Sequence, residues 1–194
     1  MALAKTYMTP EEYLKFERAS EEKHEYYAGE IFAMSGASKN HNRITGSTSA
    51  ALYAQLHQRP CDIFSSDMRV KIHSTGLYTY PDISIVCGEP EFEDSEVDIL
   101  LNPNVIIEVL SPSTEAYDRG KKFHHYQTIP SLQEYLLIAQ DSIHVDHYVS
   151  RGNEWVLSNA KTLDSVITLP SIDCTLRLSN VYEKITFDKP EGLH

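Results

Sequence analysis

The stretch of sequence that decides the fold is Asn104-Val105-Ile106-Ile107-Glu108-Val109-Leu110, which is followed by SPST at residues 111–114. A continuous apolar run of this length is typical of a β-strand that is covered on both faces of its sheet. Glu108 interrupts the run, and a buried carboxylate without a partner is costly. We therefore expect Glu108 either to bind a metal ion or to form an internal salt bridge with an arginine or lysine, and the sequence leaves both open.

A second carboxylate, Asp82, opens another apolar segment, YPDISIVC at residues 80–87. Pro81 suits the first residue of a strand, where no ladder donor is needed. If the two strands are neighbours, Asp82 and Glu108 converge on one point, and two carboxylates are what Mg²⁺ usually takes from a protein. The alternative for Asp82 alone is a turn residue that precedes a strand.

A helix is predicted after the first strand, capped by Ser113 or Thr114 and ending before Pro130. On a regular helix Asp118, Lys122 and Tyr126 share one face. Directed towards the two carboxylates, the Lys122 ammonium would hold a water nucleophile or neutralise charge on a phosphoryl oxygen. The alternative is an exposed Asp118–Lys122 pair with no role in chemistry.

The rest of the chain contains both helix-like and strand-like segments. A helix starts at Thr9-Pro10, a hairpin turns around Gly29, and a long helix covers residues 38–57. Strand-like runs occupy residues 62–65, 68–72, 83–87, 105–110, 134–139, 143–149 and 155–157. This order predicts an α/β fold with a central mixed sheet flanked by helices. At this length we expect a single domain over residues 1–194, with a loose tail after about residue 187.

Composition excludes several classes of protein. Hydrophobic residues make up 41% and charged residues 23%, as in ordinary globular chains rather than disordered ones. No apolar run approaches the roughly 18 residues that span a bilayer, and the N-terminus has no signal core, so we expect a cytoplasmic protein without membrane contact. The three widely spaced cysteines predict reduced thiols. The net charge of −11 disfavours a broad basic surface for nucleic acid.

Several motifs carry a resemblance to a known family. Pro81-Asp82 and Glu108 match the PD-(D/E)XK pattern of nucleases. Further matching segments are TPEEY (9–13), YAGEI (27–31), SKNH (38–41), SDMRV (66–70) and EVLSPST (108–114). From about Thr9 to about Tyr182 the chain resembles the Uma family of restriction-endonuclease-like proteins, formerly a domain of unknown function.

The resemblance implies an αβββαβ nuclease core and a Mg²⁺ site, in which Mn²⁺ can substitute. Asp82, Glu108 and the Val109 carbonyl would be the metal ligands. The lysine of the general motif is replaced by Leu110, and the family's spacing assigns its role to Lys122. Two further residues are candidates near the metal. His41 would be an additional ligand, and the alternative is a helix-capping or solvated histidine. Asp67 would be an acid close to the ligands, and the alternative is a turn residue.

The function implied is that of a Mg²⁺-dependent endonuclease that hydrolyses phosphodiester bonds in DNA, with Asp82, Glu108 and Lys122 as the catalytic residues. Arg119 and Lys121 are expected to bind DNA. Other basic residues available for phosphate contacts are Lys39, Arg43, Arg69 and Lys71. Two rival functions stay open: an inactive DNA-binding or assembly protein with this fold, and a metal-dependent hydrolase of another substrate. The oligomeric state is also open, a homodimer among the alternatives.

Overall fold

A computed structural model of the protein describes residues 7–187, so the tail predicted after residue 187 lies outside the described residues. The helices are α1 (Pro10–Glu17), α2 (Lys39–Leu56), α3 (Glu115–Tyr117), a π-helix (Asp118–Lys122), α4 (Phe123–Tyr126) and α5 (Leu178–Val181). The strands are β1 (His24–Tyr27), β2 (Glu30–Ala33), β3 (Cys61–Ser65), β4 (Arg69–Ile72), β5 (Leu77–Thr79), β6 (Ile83–Cys87), β7 (Ile99–Leu100), β8 (Val105–Leu110), β9 (Glu134–Ala139), β10 (Val145–Arg151), β11 (Glu154–Ala160), β12 (Val166–Leu169) and β13 (Cys174–Arg177).

A mixed six-stranded sheet forms the centre of the fold, with strand order β11-β10-β9-β8-β6-β3. Strands β8 and β9 run parallel, and the other neighbours are antiparallel. Every residue of β8 and β9 is buried, which explains the unbroken apolar run in β8. Helix α2, strands β3, β6 and β8, the helical segment 115–126 and strand β9 follow one another as the predicted αβββαβ core. The predicted α/β architecture is confirmed.

The register between β6 and β8 places the two acids side by side. Ile83 lies opposite Ile107, so Asp82, one residue before β6, falls beside Glu108 in β8. Both strands are central in the sheet, and their flanking strands hold this register. The predicted adjacency of the two acid-bearing strands is therefore confirmed.

A second sheet, of five strands in the order β2-β1-β5-β4-β7, carries the predicted N-terminal hairpin at its edge. Ala28 and Gly29 both have positive φ, 49° and 86°, as a tight hairpin turn requires. On one face of the hairpin, Tyr26 stacks on Tyr13 of α1 with ring centroids 4.9 Å apart. Thr9 begins α1 with the capping box that its sequence predicts.

Helix α2 starts where it was predicted, with the Ser38 side chain accepting a hydrogen bond from the backbone N–H of His41. Ile44, Leu52 and Leu56 form its buried stripe and join the core on one side of the six-stranded sheet. The other face of that sheet packs on α4 and the five-stranded sheet. Within residues 7–187, no helix is both long and apolar enough to cross a bilayer.

The helix after β8 differs from the regular α-helix that was predicted. Residues Asp118–Lys122 form a π-helix between the short helices α3 and α4. A π turn widens the helix locally, and such turns occur often at functional sites. Asp118, Lys122 and Tyr126 all still point inward and are buried, so the predicted shared face is retained although the exposed alternative is wrong.

The prediction of three reduced thiols is wrong for two of the cysteines. Cys61 and Cys87 form a disulfide, and Cys174 is free and buried. Cys61 and Cys87 are direct partners in the β3–β6 ladder, so strand pairing brings together two residues that are 26 positions apart in the chain. Four short strands, β5, β7, β12 and β13, were also missed, because two to four residues are too few to show a periodic pattern.

The acidic segment 89–98 forms ion pairs with basic residues at the end of α1 and in β4. Asp98 pairs with Arg69 and, together with Asp94, with Arg18 of α1, while Glu93 pairs with Lys71. Arg69 is only 4% exposed. The expectation that Arg69 and Lys71 are available to DNA phosphates is therefore wrong, because both are engaged within the fold.

Candidate active site

Glu108 lies in the middle of the buried strand β8 and is 4% exposed. Its Oε1 accepts hydrogen bonds from the Lys122 ammonium and the Tyr126 hydroxyl, both at 2.8 Å. Its Oε2 has one long contact, 3.4 Å from the backbone nitrogen of Asp82. The salt bridge that the sequence left open is thus present, with Lys122 as the cation, and one carboxylate oxygen retains capacity for a further ligand.

Asp82 is bound from two sides at the start of β6. Its Oδ2 accepts the backbone N–H of Val109 at 2.7 Å, and its Oδ1 lies 2.8 Å from Nε2 of His41. The N–H and C=O groups of one strand residue point to the same side, so the Val109 carbonyl faces the side of β8 on which Asp82 lies. The structure thus brings together Asp82 and Glu108, as the sequence predicts, with Val109 and His41, as the family resemblance implies.

Lys122 is enclosed by carboxylates. Its ammonium lies 2.8 Å from Glu108, 3.3 Å from Glu25 and 3.6 Å from Asp118. Burial by itself lowers the pKa of Lys122, but Glu108 and the other acids raise it well above its usual value, so the side chain is charged. The neighbouring Lys121 is exposed, which confirms that only one of the two adjacent lysines faces this site.

Glu25 is the site residue that sequence reasoning missed. It comes from strand β1 of the N-terminal hairpin and also accepts a hydrogen bond from the Thr79 hydroxyl. The available signal was the alternation in HEYY: His24 and Tyr26 are buried on one face, which turns Glu25 to the opposite face of the strand. Nothing in that short pattern indicates that the opposite face meets Lys122.

Negative charge is in excess at this site. Three carboxylates lie within 3.6 Å of the Lys122 ammonium, those of Glu25, Glu108 and Asp118, and Asp82 adds a fourth carboxylate beside Glu108. Burial raises the pKa of Glu108 to about 8, with Lys122 opposing and the nearby Asp118 and Asp82 adding to the shift. Burial also raises the pKa of Asp118. An additional cation near Glu108 would offset this repulsion.

The donor set fits a hard divalent cation. Among residues 7–187, no three or more His, Cys, Asp and Glu side chains are grouped as a self-sufficient metal-binding cluster. Mg²⁺ does not require such a cluster, because it commonly binds one or two carboxylates and keeps water or phosphate at its other positions. Asp82 and Glu108 offer two carboxylates on adjacent strands, with the Val109 carbonyl beside them.

Two of the predicted residues are placed outside this group, and one is placed at its border. Asp67 lies in an exposed turn, its side chain 80% exposed, and pairs with Lys23. Arg119 is tied to Glu115 at 2.7 Å and to Asp146, so its guanidinium already has partners. Lys121 precedes the buried lysine in the chain and is exposed to solvent.

The chain is similar to several known proteins. The family model Uma2, described as "Putative restriction endonuclease", matches residues 10–179. Two uncharacterized proteins of Synechocystis are 38% and 43% identical to the chain, over 93% and 78% of its length and 94% and 86% of theirs. The crystal structure of a putative nuclease belonging to DUF820 from Anabaena variabilis shares the fold, with a TM-score of 0.76, 21% identity and coverage of 92% of this chain and 99% of that one.

Proposed function

The chain belongs to the Uma2 family, and on that premise we propose that it is a Mg²⁺-dependent nuclease that hydrolyses phosphodiester bonds in DNA. The observation that carries the proposal is the group formed by Asp82 at the start of β6, the buried Glu108 in the adjacent strand β8 and the buried Lys122 of the helical segment that follows. Two carboxylates and one ammonium are the residue types that metal-assisted phosphodiester hydrolysis needs.

Asp82 and Glu108 are proposed to hold the ion together with the Val109 carbonyl. When bound, Mg²⁺ supplies a Lewis acid for the phosphate and for the attacking water. His41, on Oδ1 of Asp82, either fixes the orientation of that carboxylate or replaces a water as a further ligand. In both cases the first turn of α2 positions the acid at the start of β6.

Lys122 is proposed to act on the reacting phosphate. Its ammonium is held from three directions by Glu25, Glu108 and Asp118, which fixes its position before substrate arrives. From there it donates a hydrogen bond either to the attacking water or to a phosphate oxygen, where negative charge develops in the transition state. Such a preorganised donor needs no rearrangement during the reaction.

The excess of acids would also make a cation necessary before the reacting phosphate enters the site. A phosphate group that approaches Glu108 and Asp82 in the absence of a metal meets like charges in a poorly solvated site. Exposed basic residues outside this group, with Lys121 adjacent to it, would attract the phosphates of the flanking nucleotides. Metal binding is therefore expected to precede productive substrate binding.

The test is cleavage of labelled DNA in Mg²⁺, in Mn²⁺ and in EDTA. We expect the wild-type protein to cleave only with metal, Glu108→Gln to fall to background, and the matched control Glu154→Gln, an exposed glutamate on β11, to cleave like wild type. DNA binding by the wild type without any metal-dependent cleavage would support the rival function of an inactive DNA-binding protein. Full activity of Glu108→Gln would show that Glu108 is not needed for cleavage, and the proposed active site would then be wrong.

A further inference from the structure

One face of the N-terminal hairpin is exposed beside the candidate active site. In the β1–β2 register Glu25 lies opposite Phe32 and Tyr27 lies opposite Glu30, so these four side chains share one face, here named the hairpin face. Strand β2 is the edge strand of its sheet. The other face of β1 is buried against α1 through Tyr26.

The hairpin face is continuous with the site. Glu25 lies 3.3 Å from the Lys122 ammonium, and two residues along the same strand the Tyr27 ring packs edge-on against His125 of α4, with centroids 4.8 Å apart. Both contacts join β1 to the helical segment that carries Lys122. A ligand on the outer part of the hairpin face is therefore adjacent to the proposed reaction centre.

Large apolar side chains are exposed on and around this face. Phe32 is 48% exposed and Tyr27 39%, and Met34, just after β2, is 37% exposed. Tyr7, 65% exposed, packs over the hairpin turn so closely that a Cβ on Gly29 would lie 2.6 Å from its ring. Neighbouring exposed apolar groups of this kind mark a binding surface more often than isolated ones do.

The charges on the face restrict what it can bind. The hairpin face carries no lysine or arginine, and its Glu25 is already paired with Lys122, so the face offers no cation to a phosphate group. Aromatic rings, in contrast, accept the flat surface of any nucleobase, and stacking of this kind tolerates all sequences. A regular duplex presents its phosphates outward and keeps its bases stacked inside. A single strand can turn its bases towards Tyr27 and Phe32 while its phosphates stay away from the acids.

We infer that the hairpin face binds unstacked bases, so that the substrate is single-stranded or locally unpaired nucleic acid; the assignment of a substrate rests on the proposed nuclease function. Lys39 and Lys121 are exposed and form no ion pair within residues 7–187, so they are available to phosphates.

The experiment measures binding rather than cleavage. Fluorescence anisotropy in EDTA would compare the full chain's affinity for a labelled oligothymidine of about 15 nucleotides, an abasic strand of the same length, and a duplex. The variants are Phe32→Ala, Phe32→Leu, which keeps an apolar side chain without a ring, and Tyr53→Ala. Tyr53 is a matched control, since it is 63% exposed on α2 but lies about 18 Å along that helix from His41.

The expected result is tighter binding of oligothymidine than of the abasic strand or the duplex. Phe32→Ala and Phe32→Leu should both weaken that binding by about fivefold or more, the range measured for lost base stacking, with Tyr53→Ala unchanged. Equal affinity for the abasic strand, tighter binding of the duplex, or full affinity of both Phe32 variants would overturn the inference. Sedimentation equilibrium provides a further check: a dimer that Phe32→Ala dissociates would show that a second copy occupies the face.

The inference and the proposed function fail in different ways. If the wild type binds single strands through Phe32 but cleaves nothing with Mg²⁺ or Mn²⁺, the nuclease proposal fails and the binding face stands. If it cleaves duplex DNA with metal and Phe32→Ala cleaves equally well, the nuclease proposal stands and the inferred substrate class is wrong.

Discussion

Replacing Glu108 by glutamine should stabilise the metal-free protein, and should do so more at high pH than at low pH. Glu108 is 4% exposed, and its pKa is raised to about 8 by burial, with Asp118 and Asp82 adding to the shift against the opposing effect of Lys122. A carboxyl whose pKa is raised in the folded state binds its proton more tightly there than in the unfolded chain. Its contribution to stability is therefore complete below its ordinary pKa and is lost as the pH rises through the folded value.

The size of the effect follows from the two pKa values. Glu108 has an ordinary pKa of 4.5 and a folded pKa of about 8. Between pH 5 and pH 8 the wild type should lose on the order of 3 kcal/mol of unfolding free energy relative to the glutamine variant, which does not titrate. Lys122 keeps Glu25 and Asp118 as partners in the variant, so no buried ammonium is left alone.

The assay is urea unfolding, followed by circular dichroism, at several pH values from 5 to 8 with EDTA present. Subtracting the unfolding free energy of the wild type from that of Glu108→Gln at each pH cancels the contributions of the titrating groups that the two proteins share. Glu154→Gln is the matched control: its side chain is exposed, so its stability difference from wild type should stay within about 0.5 kcal/mol at every pH.

A difference between Glu108→Gln and wild type that stays constant from pH 5 to pH 8 would refute this reasoning. It would mean that the Lys122 ammonium compensates fully for the burial of the carboxylate. A wild type that gains stability relative to the variant as pH rises would reverse the sign, and would show that Glu108 is held ionised below its ordinary pKa. Either result would also weaken the argument that the site needs an additional cation.

Three further predictions concern the metal, the lysines and the disulfide. Asp82→Asn should abolish Mn²⁺ binding in calorimetric titration while the unfolding transition stays cooperative; unchanged affinity would show that this acid is not a ligand. Lys122→Ala should lose cleavage but keep Mn²⁺ binding. Lys121→Ala should still cleave at saturating DNA, and its DNA binding should depend less on salt. Loss of cleavage in Lys121→Ala alone would mean that Lys121 is the catalytic lysine. Reducing the Cys61–Cys87 disulfide should lower the unfolding free energy by up to about 3.5 kcal/mol, because the disulfide closes a loop of 26 residues in the unfolded chain. Urea unfolding with and without reductant measures this, and coincident curves would contradict it.

The strands that carry the acids follow from local sequence. An apolar run of six residues, Val105–Leu110, is typical of a sheet interior, and the carboxylate within it needs a cation, so the sequence alone indicates Glu108 as a candidate site residue. Asp82 followed from the same pattern at the start of β6. Adjacent helix positions point in different directions, so Lys121 and Lys122 cannot both face the site. The face that Lys122 shares with Asp118 and Tyr126, together with the family's spacing, favours Lys122, and in the structure Lys122 is buried and Lys121 exposed.

Other features depend on strand register and on contacts between distant segments. Cys61 and Cys87 meet only because β3 and β6 pair in one particular register, which their spacing does not reveal. Arg69 and Lys71 resembled free phosphate contacts until the acidic segment 89–98 closed over them. Glu25 reaches Lys122 because the hairpin sheet packs on the helix that follows β8.

The physical reason for this division is the range of the interactions involved. Burial and backbone periodicity act within a few residues, so the apolar strands, the helix start at Ser38 and the acids Asp82 and Glu108 can be recognised from the chain alone. The partners of a side chain, the excess charge around Lys122 and the exposure of Phe32 arise when separate elements pack together. Only the folded arrangement decides them, because residues far apart in sequence must then share one small volume.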